Sequence, residues 1–135
     1  MEILVNIDVD DIEKAMTFYQ DALGLRVGRR LFGGSAIEML GAPSKINLLA
    51  KPAGSSASSR ASLPRDYQRH WTPVHLDFVV EDLPGAVARA KAAGATLEQD
   101  IQSAAWGRIA MFADPFGNGF CLVEFRGRGY DEIAR

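Results

Sequence analysis

From Val5 to Val9 apolar and polar positions alternate, placing Ile3, Val5, Ile7 and Val9 on one face and Leu4, Asn6 and Asp8 on the other. A period of two predicts a β-strand whose apolar face lies under a helix. At Asp10 the period changes. Ile12, Ala15, Met16, Tyr19, Ala22 and Leu23 recur at helical spacing, Asp10 and Glu13 form a capping-box-like start, and Gly24 is a stop signal. Three more strands are predicted at 25–32, 35–40 and 45–50, with Gly33-Gly34 turning the chain between the first two.

The same order then returns. Val74-His75-Leu76-Asp77-Phe78-Val79-Val80 is a second strand, followed by Glu81-Asp82-Leu83-Pro84 and an alanine-rich helix that ends at Gly94. Asp11-Ile12 falls on Asp82-Leu83 with a shift of 71 positions, Gly24 on Gly94 with 70, and Ile46-Asn47-Leu48-Leu49 on Phe120-Cys121-Leu122-Val123 with 74. A drift that small is what loop insertions leave in a duplicated unit. The predicted fold class is α+β, built from two tandem β-α-β-β-β modules. Module 1 covers 1–51, a linker 52–72, module 2 73–126 and a tail 127–135, in which Tyr130 and Ile133 suggest a final helical turn. The linker is rich in Ser, Ala and Arg, follows neither period, and is expected to be flexible in its first half. Neither module alone buries enough surface, so the modules are expected to share a core as one domain.

Composition narrows the function classes. Net charge is −2, and the 15 Lys and Arg residues are scattered apart from Arg29-Arg30 and the loop carrying Arg60, Arg65 and Arg69. That pattern argues against a nucleic-acid partner. No apolar tract reaches membrane-spanning length and no secretory leader is recognisable, so no membrane partner and a cytoplasmic location are expected. Cys121 is the single cysteine, which excludes an internal disulfide and any cysteine-only metal cluster.

Four segments carry a family resemblance: Val9-Asp10-Asp11-Ile12 with Phe18-Tyr19 and Leu23-Gly24-Leu25; His75 to Leu83; Ala92-Ala93-Gly94-Ala95; and Phe112-Ala113-Asp114-Pro115-Phe116-Gly117-Asn118. In this order and spacing they resemble the vicinal oxygen chelate superfamily, which contains glyoxalase I, extradiol dioxygenases and the bleomycin- and fosfomycin-resistance proteins. The resemblance implies paired modules with curved mixed sheets around a central cavity, helices outside, and a homodimer. It also implies a divalent metal held by His or Glu side chains on the first and last strands of each module. The matching positions here are Leu4, Asn47, His75 and Cys121, and only His75 is of the usual ligand type. Because a divalent ion needs about three protein ligands and leucine has no lone pair, no metal or other cofactor is expected. A rebuilt site from His75, Cys121 and one of Asp8, Asp77 or Glu38 is the alternative.

His75 is the candidate acid/base or polar anchor, since imidazole titrates near neutrality; the competing reading is a satisfied structural histidine. Asn6, Asp8, Asn47, Asp77, Trp106, Arg108 and Cys121 are the candidate ligand-binding residues. Cys121 is otherwise a small buried hydrophobe, and Trp106 and Arg108 otherwise ordinary strand residues. Glu38 reads as an exposed strand charge or a pocket carboxylate. Tyr67, His70 and Trp71 read as packing or interface residues, and Asp114 to Gly119 as a structural turn. The favoured function is binding of a small metabolite or drug-like molecule in the cavity between the modules, without the full metal site. The alternatives are a metal-dependent lyase, isomerase or dioxygenase, a metal-free enzyme working through His75, and a structural dimer partner with a vestigial pocket.

Overall fold

The opening alternation forms strand β1 (Val5–Val9), in a computed structural model that describes residues 1–135. Helix α1 (Ile12–Leu23) follows, then β2 (Arg26–Leu31), β3 (Ala36–Leu40) and β4 (Ile46–Ala50). The helix is capped by Asp11, whose carboxylate accepts the Lys14 N–H at 3.0 Å, rather than by Asp10. Glu13 does not complete a capping box; its carboxylate pairs with Arg30 at 2.7 Å. Gly24 ends α1 in the left-handed region, φ 67°, where a side chain is disfavoured.

The second module repeats this path through β5 (Leu76–Val79), α2 (Leu83–Ala92), β6 (Thr96–Ala104), β7 (Gly107–Ala113) and β8 (Gly119–Phe125). Asp82 caps α2 and Pro84 occupies its first turn, where the missing N–H costs nothing. The strand orders are β1-β4-β3-β2 and β5-β8-β7-β6. In each sheet the first strand pairs with the last in parallel and the other pairings are antiparallel. The fold is therefore two four-stranded mixed sheets with one helix each.

The chain divides into two compact units, Met1–Gln68 and Arg69–Arg135. In the first, Ile37, Met39 and Leu48 are fully buried between the sheet and α1; in the second, Phe112, Leu122 and Leu83 are. Residues 52–68 fold onto the first unit. The Gly54 N–H reaches the Arg65 carbonyl at 2.8 Å, the Arg65 N–H reaches the Ser55 carbonyl at 2.8 Å, and the Tyr67 hydroxyl donates to the Lys51 carbonyl at 2.6 Å. Residues 69 and 70 join the second unit, Arg69 pairing with Glu98 at 2.7 Å and the His70 ring bonding the Asn118 amide oxygen at 3.0 Å.

One glycine is dictated by close approach. Gly107 opens β7 at φ 151°, and a Cβ there would lie 2.1 Å from the Glu124 carbonyl oxygen. The tail ends in a short 3-10 turn, Gly129–Glu132, with the Tyr130 ring 4.8 Å from Phe125 and 5.2 Å from Trp106 between centroids. No helix is long and apolar enough to cross a membrane.

Candidate functional site

Each sheet has one face under its helix and one face turned away from it. In the first unit Arg30, opposite Ile37, reaches Glu13 and the Met16 sulfur, which marks the helix side. Asn6, Asn47 and Glu38 lie side by side across β1, β4 and β3 on the other face. The Asn47 amide NH2 donates to the Asn6 amide oxygen at 3.0 Å, and the Asn47 amide oxygen is buried with no hydrogen-bond partner. Glu38 is buried and receives a two-pronged bond from Arg29 at 2.7 and 2.6 Å, with the Lys45 ammonium at 3.6 Å. The Arg29 hydrogen bonds pull the Glu38 carboxyl down to about 2. Asp8 is held by Arg65 at 2.7 Å, so the loop 52–68 is pinned to the strand end.

In the second unit the corresponding row is Asp77, Cys121 and Met111 across β5, β8 and β7. His75, two positions before Asp77, adds its imidazole. His75 Nε2 lies 3.2 Å from Asp77 Oδ1, and one ligand atom each from His75, Asp77 and Cys121 all fall within 4.8 Å of one another. Cys121 is buried, whereas His75 and Asp77 are exposed. Burial, with the Asp77 carboxylate beside it, pushes the Cys121 thiol up to about 11. At neutral pH the free sulfur is a thiol and a poor nucleophile.

Arg108 is not brought to this row. It stands opposite Glu124 on β8, on the side of the sheet carrying α2, and its Nη2 bonds both Glu124 oxygens at 2.9 and 2.7 Å. Glu124 Oε2 also accepts the Leu83 N–H at 2.8 Å, tying the start of α2 to the sheet. Arg108 thus anchors helix to strand. Trp106 sits in the turn before β7 and packs against Phe125 and Tyr130. Glu124 and Arg65 are the partners that sequence patterning missed. Glu124 carries a signal, a lone carboxylate inside the apolar run from Phe120 to Phe125; Arg65, deep in the linker, carries none.

The shifts of 71 and 74 hold in space: Leu4, Asn6 and Asn47 correspond to His75, Asp77 and Cys121. The metal set implied by the fold would use Leu4, Asn47, His75 and Cys121, and these side chains do not fit it. Leu4 has no lone pair, and Asn47 offers only a neutral amide oxygen where the fold class uses an imidazole or a carboxylate. The half contributed by the second module retains two ionisable donors, with Asp77 beside them.

Solved structures share this architecture along nearly the whole chain. A glyoxalase/bleomycin resistance protein/dioxygenase family enzyme from Burkholderia phytofirmans aligns with a TM-score of 0.72 at 20% identity, covering 91% of this chain and 97% of that one. The fosfomycin resistance protein FosX from Listeria monocytogenes aligns with a TM-score of 0.72 at 18% identity, covering 99% and 98%. TnmS3, an antibiotic-binding protein from a Streptomyces species, aligns with a TM-score of 0.65 at 25% identity, covering 93% and 96%. No curated protein matches in sequence. The fold is thus that of the vicinal oxygen chelate class. The family model of the glyoxalase-like domain matches residues 4–123, and the chain belongs to that family.

Proposed function

We propose that this protein binds a small polar or aromatic-bearing molecule on the sheet faces turned away from the helices, without the complete metal site of its fold class. The carrying observation is the replacement of metal-ligand types in the first module by Leu4 and by Asn47, whose amide is hydrogen-bonded to Asn6. Amides are hydrogen-bonding groups for neutral ligands. The buried, unpartnered Asn47 oxygen sharpens this, because leaving such an acceptor unmade costs about 1–3 kcal/mol that a ligand N–H or O–H recovers. TnmS3, a neighbour in fold, is an antibiotic-binding protein, and FosX a fosfomycin resistance protein; both support a drug-like or metabolite ligand.

The test is a thermal-shift screen against antibiotics and small metabolites in the presence of a chelator. At least one compound is expected to raise Tm in the parent and to do so less in Asn47→Ala. If no compound shifts the chelated protein, or if every shift is intact in Asn47→Ala, the proposal fails. A homodimer is part of the same proposal, and a monomer in sedimentation at micromolar concentration contradicts that part. A second reading, an enzyme in which His75 moves a proton, is favoured by one contact, the Asp77 carboxylate at 3.2 Å from His75 Nε2, which orients the ring.

A further inference from the structure

We infer that the molecule bound on the sheet face of the first module is a small organic anion, a carboxylate recognised by Lys45 and Arg29 that carries an O–H or N–H group for Asn47 to accept. This rests on the ligand-binding proposal and gives that ligand a chemical class. The amides recognise its uncharged part, and its charge is recognised by two cations on the same face.

The charge comes first. Glu38 is buried on this face, and its Oε1 is shared by Arg29 Nη2 at 2.6 Å and Lys45 Nζ at 3.6 Å. Hydrogen bonds from Arg29 hold the Glu38 carboxyl down at about 2, so it is ionised at neutral pH. Two cations on one carboxylate leave the cluster positive. Arg29 bonds Glu38 through Nε and Nη2, which leaves Nη1 to donate elsewhere, and the Lys45 ammonium stands beyond hydrogen-bond distance of the carboxylate. Both side chains are at least half exposed and open to an incoming anion.

The span follows from the strands. Asn47 stands directly opposite Glu38, and Lys45 lies two positions before Asn47, so Lys45 and Asn47 leave the sheet on the same side. The Lys45 carbonyl already accepts the Val5 N–H at 3.2 Å, which fixes that position in the pairing with β1. The unpartnered Asn47 oxygen and the cations are thus about 7 Å apart along the strand, a distance that a carboxylate with a donor on a neighbouring carbon bridges through its own hydrogen bonds. The edge strand β2 adds no side chain here, because it presents Gly28, where a Cβ would lie 3.2 Å from Glu38 Cβ. A cationic ligand would have to displace Arg29, whose bonds to Glu38 are short; a neutral one would leave Lys45 unused.

The experiment is a set of amide NMR titrations of isotope-labelled full-length protein, freed of metal and then of chelator, at constant ionic strength. Three probes are compared: glycolate, which has both groups; acetate, which lacks the donor; and glycolamide, which lacks the charge. Glycolate is expected to shift the Asn47 side-chain amide and the backbone amides beside Lys45 saturably at millimolar concentration, with acetate and glycolamide each binding about fivefold or more weakly. Lys45→Gln, at an exposed side chain, should reduce glycolate to the glycolamide level. Asn47→Ala should remove the difference between glycolate and acetate. The inference is overturned if glycolamide or acetate binds as tightly as glycolate, if Lys45→Gln leaves glycolate affinity unchanged, or if glycolate shifts nothing on this face. Glycolamide binding that equals glycolate and is lost in Asn47→Ala would end the anion class and leave the ligand-binding proposal standing, whereas silence from every probe together with an empty thermal-shift screen would end both.

Discussion

The two modules share a backbone plan and differ in what they place on it. At corresponding positions the first carries Leu4, Asn6, Asn47 and Glu38, and the second His75, Asp77, Cys121 and Met111. Each sheet also buries one glutamate, on opposite sides: Glu38 faces away from α1, while Glu124 faces α2 and holds its first N–H. A duplicated fold thus keeps its apolar positions and lets the polar ones diverge. The apolar positions are fixed by packing, whereas side chains on the face turned away from the helix are set by individual polar partners, as Glu38 is by Arg29 and Asp8 by Arg65.

That contrast can be broken most forcefully at corresponding positions of the two cores. Leu48 and Leu122 correspond, and both are fully buried. Leu48→Ala and Leu122→Ala should each cost about 2–5 kcal/mol in denaturant unfolding. A negligible loss at either would mean the modules are not built alike.

The glutamates come next. Glu124→Gln should lower Tm by several degrees and Glu38→Gln by less, because the Arg108 side chain left behind is 19% exposed whereas that of Arg29 is 66% exposed and keeps its water. Both carboxyls are pulled from about 4.5 down to about 2, chiefly by hydrogen bonds from Arg108 and Arg29. A depressed folded-state value means the stabilisation is complete above about 4.5 and is lost as pH falls towards 2. Melting curves of the parent should therefore fall over that interval, and those of Glu124→Gln should fall less. Equal slopes for the two would contradict the assignment.

The smallest effects belong to exposed residues on the faces turned away from the helices. Asn6→Ala and Asp77→Ala, both at exposed positions, should change metal-free stability by no more than about 0.5 kcal/mol each. A larger loss at either would make that row structural.

The duplication was legible in the sequence because strand and helix periods, Asp11 and Asp82, and Gly24 and Gly94 recur in order. Alternation within a strand made the face turned away from the helix legible for Asn6 and Asp77, whereas Asn47 and Cys121 were placed by the family resemblance. Alternation failed to anticipate the fate of Arg108, because side assignment does not say which face a helix covers when the partner is a buried Glu124. The linker was illegible for a related reason. Its order comes from long-range partners, Arg65 to Asp8 across 57 positions and Tyr67 to the Lys51 carbonyl, and no local period reports them. Likewise the helix start moved from Asp10 to Asp11, as two adjacent aspartates offer the same signal.

Binding without the complete metal site is tested most directly by calorimetric titration of a screened compound into chelated protein, with the parent and Asn47→Ala side by side. Saturable binding in chelator, weakened by Asn47→Ala, is the expected result. Binding that disappears when chelator is added and returns with a divalent ion would contradict it.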